Sequence, residues 1–282
     1  MSTYNKTMNE DAISNLNKIK YSYLFLPLLL LAIIAISLYA CGGWSADHYV
    51  SIQKEAFTYC NLQLSQFPVL MYNLTQFGDA LVILSLCTFL IIYAPRIWES
   101  LIWASLVSAL LCCPFKWLFK IPRPAAILDN GSFVIIGKAY VGNNSLPSGH
   151  AITAFTVLTV LLWAFMPKNS VRKIIWIVLM IGIGSLISLS RVGIGAHHLL
   201  DVVIGSIIGY ISGISGILIN RNFMIWSWIA DKEYHPLFII IFTICSVIIM
   251  RKMLLDHQPV FYLSLLSLFI TTYIITVNYV KK

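Results

Sequence analysis

Between Ser190 and Asp201 the chain reads Ser-Arg-Val-Gly-Ile-Gly-Ala-His-His-Leu-Leu-Asp, which brings Arg191, His197, His198 and Asp201 together between two apolar runs. Ionisable groups at a bilayer edge are costly, so such a cluster points to chemistry. His197 and Asp201 are spaced i, i+4 and share a face on a helix, where the carboxylate can accept a hydrogen bond from one imidazole nitrogen. That fixes the tautomer and leaves the other nitrogen's lone pair free to attack an electrophile. His198, at i, i+3, reaches the same carboxylate, and spacing alone leaves both pairings open.

Two other polar stretches complete a constellation: Lys116 with Arg123, and Pro147-Ser148-Gly149-His150 at the start of an apolar run. Three cations, together with the free amides at a helix start near Ser148 and Gly149, suit a tetrahedral oxyanion such as phosphate. Positioning and charge stabilisation account for most of the catalysis in phosphoryl transfer. His150 can protonate a leaving oxygen and then activate water. Nothing in this scheme calls for a metal or another cofactor.

The rest of the chain must position these groups. Of its 282 residues 59% are hydrophobic and 11% charged, and the mean hydropathy is +0.83. Soluble domains carry about 25% charged residues, so this is a polytopic membrane protein, an all-α transmembrane bundle with no room for a separate soluble domain. Eight apolar runs read as spans: 23–40, 69–93, 97–115, 151–165, 174–189, 197–219, 237–250 and 260–279. A polar segment, 1–20, precedes the first, which reads as an uncleaved span in preference to a signal peptide. Residues 42–66 fit either an interfacial amphipathic helix or a loop. Asp79, inside the second run, reads as a structural partner in preference to a cavity lining, and Glu99, near the start of the third, as reaching the interface. Pro122 and Pro124 stop any helix after Lys116. Gly205, Gly209, Gly213 and Gly216 allow close helix contact along the sixth run.

Eight spans place both termini on one face and all three polar stretches on the other. Of the nineteen Lys and Arg residues, Lys6, Lys18, Lys20, Arg96, Lys168, Arg172, Lys173, Arg221, Lys232, Lys281 and Lys282 fall on the terminal face. Eight fall on the opposite face, or five once Lys116, Arg123 and Arg191 are set aside as site residues. By the positive-inside rule the termini are cytoplasmic and the site extracytoplasmic. The net charge of +8 thereby reads as orientation, and no nucleic-acid partner is expected, because no basic run is interleaved with aromatics. Cys87, Cys112, Cys113 and Cys245 read as core residues, while Cys41 and Cys60 flank one loop and fit a disulfide if it faces an oxidising compartment.

Taken in order, Lys116 followed after six residues by Arg123-Pro124, then Pro147-Ser148-Gly149-His150, then Ser190-Arg191 with His197 and Asp201, the three segments resemble the signature of the type 2 phosphatidic acid phosphatase superfamily, which includes the vanadium haloperoxidases. The resemblance implies a six-helix core at about residues 21–220, leaving 221–282 as additional C-terminal spans of unknown role. It implies His197 as the nucleophile of a phosphohistidine intermediate, Asp201 as its orienting partner and His150 as general acid and base. Lys116, Arg123, Ser148, Gly149 and Arg191 are then the phosphate-binding set, without a metal. The expected function is a lipid phosphatase of a bacterial inner membrane, acting on a lipid phosphomonoester or pyrophosphate of the phosphatidic acid, phosphatidylglycerophosphate, undecaprenyl pyrophosphate or lipid A class. A phosphotransferase that passes the group to a second lipid or sugar hydroxyl uses the same residues. A transporter does not need this set, and a haloperoxidase fits poorly with a pocket held at a bilayer.

Overall fold

A computed structural model describes residues 3–129 and 131–281, with the side chains of residues 3–7 excepted. Asn130, Lys282 and the side chain of Lys6 therefore lie outside the described residues. These residues form helices α1 (Thr3–Leu16), α2 (Phe25–Ala40), α3 (Ala46–Ser51), α4 (Lys54–Leu64), α5 (Pro68–Gln76), α6 (Ala80–Leu86), α7 (Leu90–Tyr93) and α8 (Pro95–Phe119). There follow α9 (Pro124–Ile127), α10 (Gly149–Ala164), α11 (Ser170–Gly193), α12 (Leu199–Asn222), α13 (His235–Leu255) and α14 (Pro259–Val280). Among them, six helical stretches are long and apolar enough to cross a membrane: Tyr21–Ala40, Pro95–Ile127, Ser170–Gly193, Leu199–Asn222, Lys232–Leu255 and Pro259–Val280. The chain is an all-α integral membrane protein.

The second expected span is not one rod. Helices α5 and α6 pass the same apolar test only as a pair, bent by 75°. The bend has two local causes. Gly78 lies so close to His150 that a Cβ built there would stand 2.6 Å from the histidine Cβ. Asp79 then starts a new helix, its Oδ1 accepting from the amides of Leu81 and Val82 at 2.9 and 3.3 Å. Its other oxygen takes a 2.6 Å bond from Lys252 Nζ on α13, so Asp79 is a structural partner.

Helix α12 is the central strut, packed between α10 and α8. Its glycines allow backbone-to-backbone approach: a Cβ at Gly209 would meet the Ile152 carbonyl at 2.5 Å, and one at Gly205 the Ser148 carbonyl at 2.8 Å. Helices of membrane bundles gain van der Waals contact this way, since lipid offers no hydrophobic drive between them. One apolar cluster joins α1, α8, α10 and α12 through Leu16, Leu101, Val157 and Ile214, while Phe242, Ile249, Leu268 and Ile275 of α13 and α14 form another.

Several local expectations change. The N-terminal polar segment forms α1, whose Asn15 Nδ2 bonds the carbonyls of Ala164 and Met166 at the end of α10 remote from Gly149. Glu99 is buried and pairs with Arg96 at 2.7 Å. Helix α8 continues past Phe115 to Phe119 despite Pro114 and ends on Lys120, whose φ of 47° is left-handed, so Lys116 sits in a last helical turn. Pro124, at a helix N1 position, opens the short α9, because its missing amide donor costs nothing there. All six cysteines are free thiols, Cys41 and Cys60 included.

Candidate active site

Four helix ends meet at one end of the bundle. Lys116 lies in the last turn of α8 and Arg191 in the last turn of α11, where the carbonyl ends of the helices favour cations. The amino ends of α10 and α12 enter from the same side, joined by a 3.0 Å bond from the Ser148 amide to the Asp201 carbonyl. Lys116 Nζ stands 3.8 Å from where a Gly149 Cβ would lie, so the ammonium hangs over the first turn of α10. His150 is close enough to interact electrostatically with Arg191, His197, Lys116 and Arg123. The three sequence segments thus converge in space.

His197 and Asp201 do not share a helix face as the spacing suggested. Helix α12 begins at Leu199, so His197 precedes it and His198 occupies the N-cap. Asp201, in the first turn, reaches back to place Oδ2 3.5 Å from His197 Nδ1 and 2.9 Å from the His198 amide. The His198 ring turns away, with Nε2 3.1 Å from the Pro122 carbonyl and the ring in a T-shaped contact with Phe57. Geometry therefore pairs the His197 ring, and not that of His198, with the carboxylate. Burial pushes the His197 imidazole down to about 3, with Arg191 and Arg123 acting the same way and Asp201 opposing them. Its neutral form is the one present near pH 7.

Asp201 is fully buried and fully engaged. Besides His197 and the His198 amide, Oδ2 accepts from Ser145 Oγ at 2.5 Å, and Oδ1 accepts from the Tyr49 hydroxyl at 2.8 Å. Burial and the adjacent carboxylate both raise the Tyr49 phenol well above its usual range, so it stays a donor.

The cations are held differently. Arg123 donates Nε–H to Asn144 Oδ1 at 2.8 Å and Nη1–H to the Ala196 carbonyl at 3.2 Å. Arg191, 2% exposed, donates Nη1–H to Thr75 Oγ1 at 2.9 Å, while its Nε–H has no partner among the described residues. The Tyr140 ring lies 5.4 Å from one guanidinium carbon and 5.0 Å from the other, a shared cation–π platform. Ser148 takes the expected N-cap place, yet its side chain makes no cap bond and its buried Oγ is unpartnered. An unmet buried donor costs about 1–3 kcal/mol, more when charged. Arg191 Nε–H and Ser148 Oγ–H, beside Lys116 and Arg123, are donors suited to an anion, and Asp201 is too heavily bonded to serve them.

Sequence reasoning passed over Tyr49, Thr75, Tyr140 and Ser145, and also Gln53 and Asn61. Residues 42–66 are neither a loop nor a free surface helix: α3 and α4 roof the site. Asn61 Nδ2 bonds the carbonyls of Val134, Val192 and Gly193, and its Oδ1 accepts from the Val134 amide. Beside the site lies an apolar cavity of about 330 Å³, walled by Leu31 and Leu38 of α2, Phe115 and Phe119 of α8, Ile204 of α12 and Tyr49. A second cavity, of about 390 Å³, is lined by Asp79, Ser105, Cys112 and His150.

Four converging helix ends bring together a buried His–Asp pair and an excess of cations, an arrangement suited to an oxyanion. Residues 98–225, which hold all three motifs, match the PAP2 superfamily model. Among solved structures the chain is similar to the crystal structure of Aquifex aeolicus LpxE, at 28% identity over 59% of this chain and 95% of that one, with a TM-score of 0.49. No curated protein matches.

Proposed function

We propose that the protein is a lipid phosphatase that removes a phosphomonoester or pyrophosphate group from a membrane lipid through a phosphohistidine. The observation that carries this reading is the convergence of Lys116, Arg123, Ser148, Gly149, His150, Arg191, His197 and Asp201 at one end of the bundle, with donors left over for an anion. His197 Nε2 attacks phosphorus while Nδ1–H is held by Asp201. The bond from phosphorus to the lipid oxygen breaks, and His150 gives that oxygen a proton. Water then attacks the phosphohistidine, His150 takes its proton, and the P–N bond breaks to release phosphate. Lys116, Arg123, Arg191, Ser148 Oγ and the Gly149 amide hold the phosphoryl oxygens. These groups alone carry the proposed steps, with no metal in any of them.

The apolar cavity supports an amphiphilic substrate, since its walls lead from the lipid-facing α2 to Leu146 and Pro147, next to Ser148. The charge asymmetry supports an orientation with the site on the extracytoplasmic side and both termini cytoplasmic, and the setting proposed is a bacterial inner membrane. Residues 21–220 form the phosphatase core in this reading, and α13 and α14 are additional to it.

Purified protein in detergent with EDTA should release phosphate from one or more of phosphatidic acid, phosphatidylglycerophosphate, undecaprenyl pyrophosphate and lipid A. His197→Ala should abolish that release. Full activity of this variant would overturn the mechanism, and label passing from donor lipid to a second hydroxyl would replace hydrolysis by transfer.

A further inference from the structure

We propose that Tyr49, on the short helix α3 between the first two spans, is a positioning residue that sets the orientation and basicity of Asp201 and thereby of His197. The inference rests on the functional reading above and extends it to a residue outside the segment 98–225 that matches the superfamily.

Asp201 divides its bonds unequally. Oδ2 serves His197 Nδ1, Ser145 Oγ and the His198 amide, whereas among the described residues Tyr49 is the partner of Oδ1. Without Tyr49 one oxygen of a fully buried carboxylate has no donor. The group then either rotates, losing its aim at His197, or holds the imidazole proton more strongly.

Tyr49 is built in, not resting there by chance. It is 1% exposed and packs with Val50, Ile121 and Leu146. Its carbonyl accepts from Gln53 Nε2 at 3.0 Å, and Gln53 Oε1 accepts from the Leu200 amide at 2.9 Å. That pair of bonds pins α3 to the first turn of α12, next to Asp201. The Tyr49 ring also walls the apolar cavity, so one side chain touches both the cavity and the carboxylate. The groups that bear on the His197 charge are Asp201, Arg191, Arg123 and His150; those that bear on Tyr49 are Asp201 and Gln53.

Tyr49→Phe keeps the ring and deletes the bond. With the lipid substrate found above, kcat should fall about 5- to 20-fold while KM stays within about twofold, a part of what a charge-assisted bond contributes when it acts through a second group. The acid limb of kcat/KM should move up by roughly half a pH unit or more, because an unshared carboxylate favours protonated His197. A packing role alone would lower yield or melting temperature and leave that limb in place. The same shift should appear without lipid in the pH dependence of His197 carbethoxylation by diethyl pyrocarbonate, followed by mass spectrometry.

Should Tyr49→Phe fail to fold, 3-fluorotyrosine placed at position 49, a stronger donor of equal shape, should move the limb down. Parent-like kcat and an unmoved limb in either replacement, with His197→Ala inactive, would overturn the role of Tyr49 and spare the functional reading. A parent protein inactive on every lipid phosphate would overturn the functional reading alone. The carbethoxylation profile would then still decide Tyr49.

Discussion

Asp201→Asn replaces one carboxylate oxygen by an amide and removes one charge with little change of shape. The surroundings dictate how the amide sits. Oδ2 faces the His198 amide at 2.9 Å, a fixed donor, so the retained oxygen must take that place and the new NH₂ group must face Tyr49. The Tyr49 hydroxyl can turn to accept, so the pocket remains satisfied and the fold should survive. What is lost is the charge that balances imidazolium character on His197 as Nε2 bonds to phosphorus. A hydrogen bond to a charged group contributes about 1.5–3 kcal/mol, which corresponds to about 10- to 150-fold in kcat. Removal of the anion also leaves Lys116, Arg123 and Arg191 without a buried counter-charge, so the affinity for phosphate should rise. Phosphate release in detergent micelles should therefore show a lower kcat, a KM that does not rise, and tighter competitive inhibition by inorganic phosphate. A kcat within threefold of the parent, or a defect confined to a raised KM, would refute this account of Asp201.

Four further outcomes are expected. His197 has a folded-state pKa near 3, below its unfolded value of about 6.5, so its contribution to stability is intact above pH 6.5 and declines as the pH falls from there toward 3. Thermal melting of His197→Gln should lose the part of the acid slope, up to about 1.4 kcal/mol per pH unit, that this group supplies. Gly209→Ala would drive a methyl into the Ile152 carbonyl and should cost about 1–3 kcal/mol of stability, read as a lower melting temperature with lower activity, because α10 carries His150. Lys252→Ala breaks the pair with Asp79 at a partly exposed site and should cost less than about 1 kcal/mol. Asp79→Ala removes the helix cap as well and should cost about 1 kcal/mol more in the same melting assay.

The parts of the site that were legible in the sequence are those set by short spacings and helix boundaries. Ser148 and Gly149 open α10 after Pro147, and Arg191 lies in the last turn of α11, which ends at Gly193, whereas the start of α12 at Leu199, two residues past His197, carries no such mark. Six of the eight apolar runs were legible because each carries its own hydropathy, while 69–93 folds as the bent pair α5 and α6 and 151–165 as the shorter helix α10. Tyr49, Thr75 and Ser145 were not, because their roles are tertiary. Tyr49 meets Asp201 across 152 positions and Thr75 meets Arg191 across 116, and no local period marks either. The bend at Gly78 was hidden because hydropathy runs smoothly through 69–93, across both the close approach of His150 to Gly78 and the new helix start capped by Asp79.

The charge arrangement links fold to chemistry most directly. Gathering the half-buried Lys116 with the buried Arg123 and Arg191 around one carboxylate is unfavourable, so other contacts must hold the cations together. Helix ends do part of this: Lys116 and Arg191 sit where carbonyls accumulate, and Asp201 sits where amides do. The Tyr140 platform and the Thr75 hydroxyl hold the Arg191 guanidinium while leaving its Nε–H open. Tight packing of α10 on α12 through Gly205 and Gly209 then prevents the amino ends from drifting apart to relieve the repulsion. The unmet donors are thus held in a rigid frame, which in the proposed reading is the condition under which binding energy can be concentrated on a phosphoryl transition state.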